Sequence, residues 1–386
     1  MRFKGYNKEL DYLTFKDVFT LYRGSSPRPI INYLTTSDDG VNWIKIGDMP
    51  SNGNKVTSCS ERITKEGAKK SRKVNKGDII LSNSMSFGKP YILEIDGYIH
   101  DGWFVIRNYQ KFLDKNYLCQ LIASNIVQKQ YKSTAAGGVV KNISSDLVNS
   151  VKVGIPSIDE QKKIAQFLDL IDLKIETQIK IIEDYTSYRN AIVDYFFEVL
   201  SSNWRQVKLS NVLKEYSELH IKDNSIIHAT LSKEGILPKT DRYDRDFLVK
   251  DDNKRYKISH LNDICYNPAN LKFGVITRNT FGDCIISPIY ITFKIKNNYL
   301  PKFVEILVTR KKFITKARKY EQGTVYERMA VNSSDLLSMD VFIPSLAVQQ
   351  KIVNIIDNID NNIFNEQELL NLYKLQKDYL LKNMFI

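Results

Sequence analysis

Two stretches of the chain share one rhythm of apolar and polar positions. In the first, steps of three and four run through Leu168, Ile171, Ile175, Gln178, Ile182, Tyr185, Arg189, Ile192 and Phe196. In the second they run through Ile356, Ile359, Ile363, Glu366, Leu370, Tyr373, Lys377, Leu380 and Met384. This spacing, kept over about four heptads, predicts two long helices that pair as a coiled coil. The stretches are also a repeat. Ile155–Phe197 and Ile343–Phe385 agree at 12 of 43 positions with a constant offset of 188, including Ile155-Pro156-Ser157, Gln161, Lys163, Asp169, Ile171-Asp172 and Tyr185. The chain thus reads as two similar halves, each closing on a long helix.

Ser157 and Glu160 form a capping-box pattern at the start of the first helix, while the second keeps Ser345 but has Val348 in place of the acid. No Pro or Gly interrupts either stretch afterwards, which permits helices of about 60 Å. Polar residues fall in both seams at equivalent places, Gln178 with Arg189 and Glu366 with Lys377. A parallel pairing in register would set Arg189 against Lys377. An antiparallel pairing in which facing residue numbers total 555 sets Arg189 against Glu366 and Gln178 against Lys377, with apolar layers elsewhere. Such a polar pair fixes register more than it stabilises, so the antiparallel arrangement is expected.

The segments ahead of the helices are domain-sized. Short β-branched and aromatic runs, such as Asp78–Leu81, Pro90–Leu93 and Ile285–Phe293, read as strands between Gly/Asn/Ser turns. One helix is expected over Tyr117–Tyr131 and a counterpart over Pro301–Lys319. The fold class is therefore α+β, with two heads carrying short curved sheets, each followed by a long helix. The expected division is 1–154, 155–200, 201–342 and 343–386. The heads match weakly: Asp78 with Phe87-Gly88 corresponds to Asp263 with Phe273-Gly274, and Ser144–Leu147 to Ser333–Leu336. That distribution suits a fixed frame carrying two exchangeable heads.

Charge gives the heads a direction. The net charge is +12, a field that favours polyanions, nucleic acid first. Lys65, Lys69, Lys70, Arg72, Lys73 and Lys76 cluster in one head, and Arg310, Lys311, Lys312, Lys316, Arg318 and Lys319 in the other. Loops that mix basic residues with Gly, Ser, Asn and aromatics are the better candidates for base contact, because Gly admits phosphate while Arg reads guanine and Asn adenine. The candidates are Arg23, Ser25, Ser26, Arg28, Lys45, Lys141 and Asn142 in the first head, with Lys272, Tyr326 and Arg328 in the second.

Other chemistry finds little support. Cys59, Cys119, Cys265 and Cys284 lack ligand spacing and read as core thiols of a reducing compartment. The four histidines are scattered, so no metal is expected, and the phosphate-loop and nucleophile-elbow patterns are missing. Tyr266-Asn267-Pro268-Ala269 is similar to the NPPY loop of adenine methyltransferases, but it lacks the second Pro and the aromatic, and an ordinary turn accounts for it. The first residues carry no signal-peptide pattern and no run of 18 apolar residues exists, so a cytoplasmic location without membrane contact is expected.

Taken in order — head, helix opening on Ile155-Pro156-Ser157 with Glu160-Gln161, head, helix opening on Ile343-Pro344-Ser345 with Gln349 — the chain resembles the specificity subunits of type I restriction–modification systems. Trp43–Asp48 and Gly137–Ser144 resemble segments of that family's target recognition domains, and Val348 departs from its second Glu-Gln element. The resemblance implies a non-catalytic reader of double-stranded DNA. Each head would recognise half of a bipartite target, and the helices would set the gap. No cofactor would bind this chain. Two modification subunits would carry S-adenosylmethionine, and restriction subunits would carry ATP and magnesium. A diverged adenine methyltransferase with its own recognition domains is the alternative from another class, and a coiled-coil adaptor between proteins is a third reading.

Overall fold

The structure is a computed structural model that describes residues 2–385 apart from 7, 51–52, 84–87, 136–141, 222–225, 240–254 and 323–328. The chain divides into two compact units, Met1–Glu183 with Asn365–Ile386, and Asp184–Phe364. Each unit combines one head with parts of both long helices, Ile158–Glu198 and Leu346–Asn383. The fold is α+β, as the sequence predicts.

The two heads are built alike. In the first, Asp11–Thr14 pairs antiparallel with Lys152–Ile155; in the second, Arg205–Lys208 pairs antiparallel with Asp340–Ile343. These short ribbons bring the two ends of each head together where its chain leaves for the long helix. Above the ribbon lie two sheets in each head, each holding four or five strands among the described residues. In both heads a parallel pair, Val41–Ile44 with Gly97–Ile99 and Ile227–Ser232 with Cys284–Ile286, is set among antiparallel ladders. The Asp78–Asp263 correspondence is a repeated turn: Asp78 accepts from the backbone N–H of Asn75 (3.0 Å), and Asp263 from that of His260 (2.6 Å). The residues just before these carboxylates, Gly77 (φ 92°) and Asn262 (φ 73°), take the left-handed conformation that Gly and Asn tolerate best.

Each head also packs a helix pair against its long helices. The single helices expected over Tyr117–Tyr131 and Pro301–Lys319 are each two, Lys115–Ala123 with Asn125–Ala135, and Pro301–Thr309 with Lys311–Ala317. Ser124 (ψ 155°) and Arg310 (ψ 138°) break them in extended conformation. Neither break has a Pro or Gly to announce it. Arg310 turns out to lay its guanidinium over the Phe197 ring, 3.8 Å from the centroid, so a tertiary contact accompanies that break.

The cores run from the sheets into the helices. In the first unit Ile164, Leu168 and Ile171 are buried with Leu380, Met384 and Phe385; in the second, Val193 and Phe197 are buried with Ile352, Ile356 and Ile359. Burying a side chain of this size stabilises by about 1.5–3 kcal/mol. Phe197 stacks on Phe303 at 5.6 Å, and Phe385 sits 5.4 Å from Tyr117. Each aromatic contact joins the end of a repeat to the equivalent helix of a head, Pro301–Thr309 or Lys115–Ala123.

The helices are antiparallel in the first unit, where Asp172 pairs with Lys377 and Gln178 with Glu366. The expected seam positions are all buried or half-buried, but the expected partners are wrong. Gln178 does not face Lys377; its amide donates to the Glu366 carboxylate at 2.5 Å and to the Glu366 carbonyl at 3.1 Å. Arg189 does not meet Glu366; it pairs with Asp360 in the second unit. The reason lies beside the seam. Asp172 and Asp360 follow the seam residues Ile171 and Ile359 and are identical in the repeat, and each draws a basic seam residue out to the flank. The register expectation treated the seam charges as if only other seam residues could satisfy them.

The capping box at Ser157 is also corrected. Glu160 is buried and turns to Arg2, whose guanidinium contacts it at 2.9 and 2.5 Å. It ties down the chain's first residues rather than the helix start.

Candidate nucleic-acid interface

The first head gathers most of its sequence candidates on one turn. Arg23 closes the strand Thr20–Arg23, and the loop that follows runs along the turn His100–Gly102. The Gly24 N–H donates to the Trp103 carbonyl (2.8 Å) and the Ser25 N–H to the Ile99 carbonyl (3.2 Å). A Cβ at Gly24 would lie 2.0 Å from the His100 carbonyl oxygen, so this approach requires glycine. Asp101 then collects the loop. Its carboxylate accepts from the Ser26 hydroxyl at 2.8 Å and pairs with Arg28 at 3.0 Å, and its carbonyl accepts from Arg23 at 3.3 Å. The Ser26 hydrogen bond chiefly, with a smaller contribution from the Arg28 hydrogen bond, holds the Asp101 carboxyl below the ordinary carboxylate range. Arg72 donates to the Arg23 carbonyl (3.1 Å) and lies 5.5 Å from the Tyr22 ring centre.

A second candidate segment reaches the same turn through Asn83. The Asn83 side-chain amide donates to the Asp101 carbonyl at 2.9 Å, and the Asn83 main-chain carbonyl accepts from the Ile143 N–H at 2.8 Å. Asn142, exposed, precedes that bond. Lys141 lies outside the described residues, as do Tyr326 and Arg328 in the second head. Lys45 stands apart from this group, its ammonium pairing with Glu61 at 2.5 Å. Lys272 is exposed on the short helix Pro268–Phe273, its ammonium 5.2 Å from the ring centre of Phe273, which is 63% exposed.

The charge clusters separate on inspection. In the first head Lys65, Lys69, Lys70, Arg72, Lys73 and Lys76 are all exposed, although Lys65, Lys69 and Lys76 pair with Asp39, Glu66 and Glu94. In the second, Arg310 is largely structural: burial against Phe197 pushes its pKa down to about 10, and Glu198 pairs with it. Lys316 donates to the Asp340 carbonyl at 2.8 Å. Lys311 and Lys319 are exposed.

Asn267 caps the Pro268–Phe273 turn by accepting from the Ala269 N–H at 3.1 Å, and Tyr266 donates to the Val331 carbonyl from within the core. The methyltransferase-like tetrapeptide is thus an ordinary turn, with Tyr266 and Asn267 buried and Pro268 and Ala269 half-buried. Burial pushes the Cys119 and Cys265 thiols up to about 12 and Cys284 up to about 11, as expected for core residues. Among the described residues no group of three or more His, Cys, Asp or Glu could hold a metal ion, and no helix is long and apolar enough to cross a membrane.

Sequence reasoning missed Asp101, Asn83 and Tyr22. An acid in the His100-Asp101-Gly102 turn between two strand-like runs was the visible signal. Its partners lie 73 and 75 positions away, beyond any local pattern.

With this geometry in place, similarity to known proteins becomes interpretable. The family described as type I restriction modification DNA specificity domain matches residues 7–184. The type I restriction enzyme StySPI specificity subunit of Salmonella potsdam is 27% identical over 168 residues, covering 42% of this chain and 35% of that relative's length. The MjaIX specificity subunit of Methanocaldococcus jannaschii is 22% identical over 412 aligned positions, covering 98% of this chain and 93% of its own. The fold is shared with the S subunit of a type I restriction–modification system from M. genitalium (TM-score 0.54, 13% identity, 99% and 97% covered). It is shared too with a chain from a structure addressing complex assembly and conformational transition of a type I system (TM-score 0.62, 14% identity, 97% of both chains). The class these features define is a two-headed α+β protein with paired long helices. Residues 7–184 carry the pattern of the type I restriction modification DNA specificity domain, and the chain over nearly its whole length is similar to a type I specificity subunit.

Proposed function

We propose that this chain is the non-catalytic DNA reader of a type I restriction–modification complex in the cytoplasm. Each head contacts one half of a bipartite double-stranded target, the first through Arg23, Ser25, Ser26, Arg28 and Asn142 and the second through a surface that includes Lys272. Two modification subunits, binding S-adenosylmethionine, dock on the chain and methylate adenine, and restriction subunits using ATP and magnesium join for cleavage. The observation that carries this reading is the duplicated unit. Gln161 and Gln349 tie equivalent head helices to equivalent long helices (3.0 Å or less to Asp114 and Leu300), as a reader of two half-sites requires. The rival, a methyltransferase in its own right, would need Asn267 at a substrate, and Asn267 is committed to its turn.

The test uses the purified chain with and without its cognate modification subunit. S-adenosylmethionine binding, measured calorimetrically, is expected only when the modification subunit is present, and adenine methylation likewise. Cofactor binding or turnover by the chain alone would overturn the reading in favour of the rival.

A further inference from the structure

Arg28 is an unusual candidate reader in that its long side chain is 81% exposed yet already held. The holder is Asp101, itself 43% exposed, which no sequence pattern marks as a DNA contact. We propose that Asp101 is the positioning residue of the first head's reading loop, presenting Arg28 and Ser26 to base edges of one half-site. The proposal rests on the DNA-reading function above and adds the residue on which its specificity depends.

Three features support it. First, the loop's root is fixed by backbone bonds from Gly24 and Ser25, so Asp101 acts on side chains whose base is already set. Second, the carboxylate divides its oxygens, Oδ1 to Ser26 and Oδ2 to the Arg28 Nη2. An arginine fork has five donors, and this contact engages one nitrogen of it. An arginine fixed beforehand loses less rotamer freedom on docking to guanine than one that swings free. Third, the Asp101 carbonyl takes Asn83, which holds Ile143 beside Asn142. Two candidate segments far apart in sequence therefore share one hub. The guanidinium also neutralises a carboxylate that would otherwise repel phosphate.

The experiment uses the complex of this chain with its modification subunits and the target read from methylated adenines in host DNA. Binding is measured on duplexes with single-base changes in either half. Asp101→Asn is expected to lower discrimination at one or two positions of the first half by about tenfold, leaving the second half unchanged. Asp101→Glu, which keeps the charge, should restore most of it, and Asp101→Asn should add little in an Arg28→Ala background. If Asp101→Asn fails to fold, Ser26→Ala must give a loss confined to the first half. Retained discrimination in Asp101→Asn or, in its place, Ser26→Ala, with loss in Arg28→Ala, would overturn the positioning role while sparing the DNA-reading function. Tighter binding by Asp101→Asn would mark Asp101 as a competitor for Arg28 and also overturn the proposal. A wild-type complex indifferent to changes in both halves would overturn the function and the inference together.

Discussion

Gln161 and Gln349 are almost fully buried, and their amides are satisfied in the same way. Gln161 accepts from the Asp114 N–H and donates to the Phe112 and Pro156 carbonyls, each at 2.9 Å. Gln349 accepts from the Leu300 N–H at 3.0 Å and donates to the Pro344 carbonyl at 3.1 Å. Leaving one such buried group without a partner costs about 1–3 kcal/mol, so the repeated glutamine has a structural cause in each unit. The sequence displays the identity, but not the partner, because Asp114 lies 47 positions from Gln161. His260 shows the same limit more sharply. Read as one of four scattered histidines, it bridges Glu218 and Asp283, 3.1 Å from each. Asp263 accepts from its backbone, Tyr216 stacks on the ring at 6.1 Å, and the Lys294 ammonium lies 4.6 Å from the Tyr216 ring centre. The Glu218 hydrogen bond chiefly, with Asp283 next among the favourable contacts and burial opposing, raises the imidazole pKa above its ordinary 6.5. A raised folded-state pKa stabilises while the group is protonated in both states and ceases to do so as pH rises through the folded value. Urea unfolding of wild type and His260→Gln is therefore expected to differ most below about pH 6.5 and to converge at higher pH. A difference independent of pH, or growing with it, would contradict the bridge.

At the scale of elements, the helix seam was legible because a 3-4 spacing survives any choice of partner. The register was not, because it is decided by residues flanking the seam. Asp172 accepts from Gln120 at 3.0 Å and pairs with Lys377, while Asp360 pairs with Arg189 and, at 3.1 Å, with Lys302. The same acid thus joins the opposite long helix and the head helix, in both units. Strand existence was largely legible too, since Pro90–Leu93 is a strand as expected and Ile79–Ser82 differs by one residue at each end. The breaks at Ser124 and Arg310 were not, because no Pro or Gly marks either one; Ser124 bonds locally to the Leu121 carbonyl, and Arg310 lies over the Phe197 ring of a long helix. Exchanging the charges of the first-unit pair tests the corrected register. Asp172→Lys or Lys377→Asp alone sets like charges together in a partly buried position, which costs about 1–3 kcal/mol. The double change should recover most of that loss by chemical denaturation, short of the Gln120 bond, worth about 1 kcal/mol. Full additivity of the two losses would show that the residues do not meet.

For the whole molecule, the repeat at offset 188 displays two halves, and the structure gives each half a core that reaches into both long helices. This changes what a head exchange must preserve. Residues 1–154 are not attached to the rest by the peptide link alone. Arg2 grips Glu160, the Asp114 N–H is held by Gln161, and Asn116 and Gln120 hold Asp169 at 3.0 and 3.2 Å. Tyr117 packs on Phe385, whose repeat partner Phe197 packs on Phe303. On the proposed reading, each head makes its own base contacts. Replacing 1–154 with the first head of a type I specificity subunit should therefore alter one half of the methylated target and leave the other half and the gap unchanged. The incoming head must also bring a basic residue for Glu160, amide donors for Asp169 and an aromatic for Phe385. A chimera lacking them is expected to lose stability in proportion to the contacts missing, roughly 1 kcal/mol for each hydrogen bond, even where its reading loops are intact. Sequencing of methylated adenines in cells carrying each chimera checks the first expectation, and thermal denaturation of the purified complexes checks the second. A chimera that changed both half-sites would break the assignment of one head to one half. A chimera without these contacts that melted with the wild type would show that the shared helices, not the contacts, hold the head.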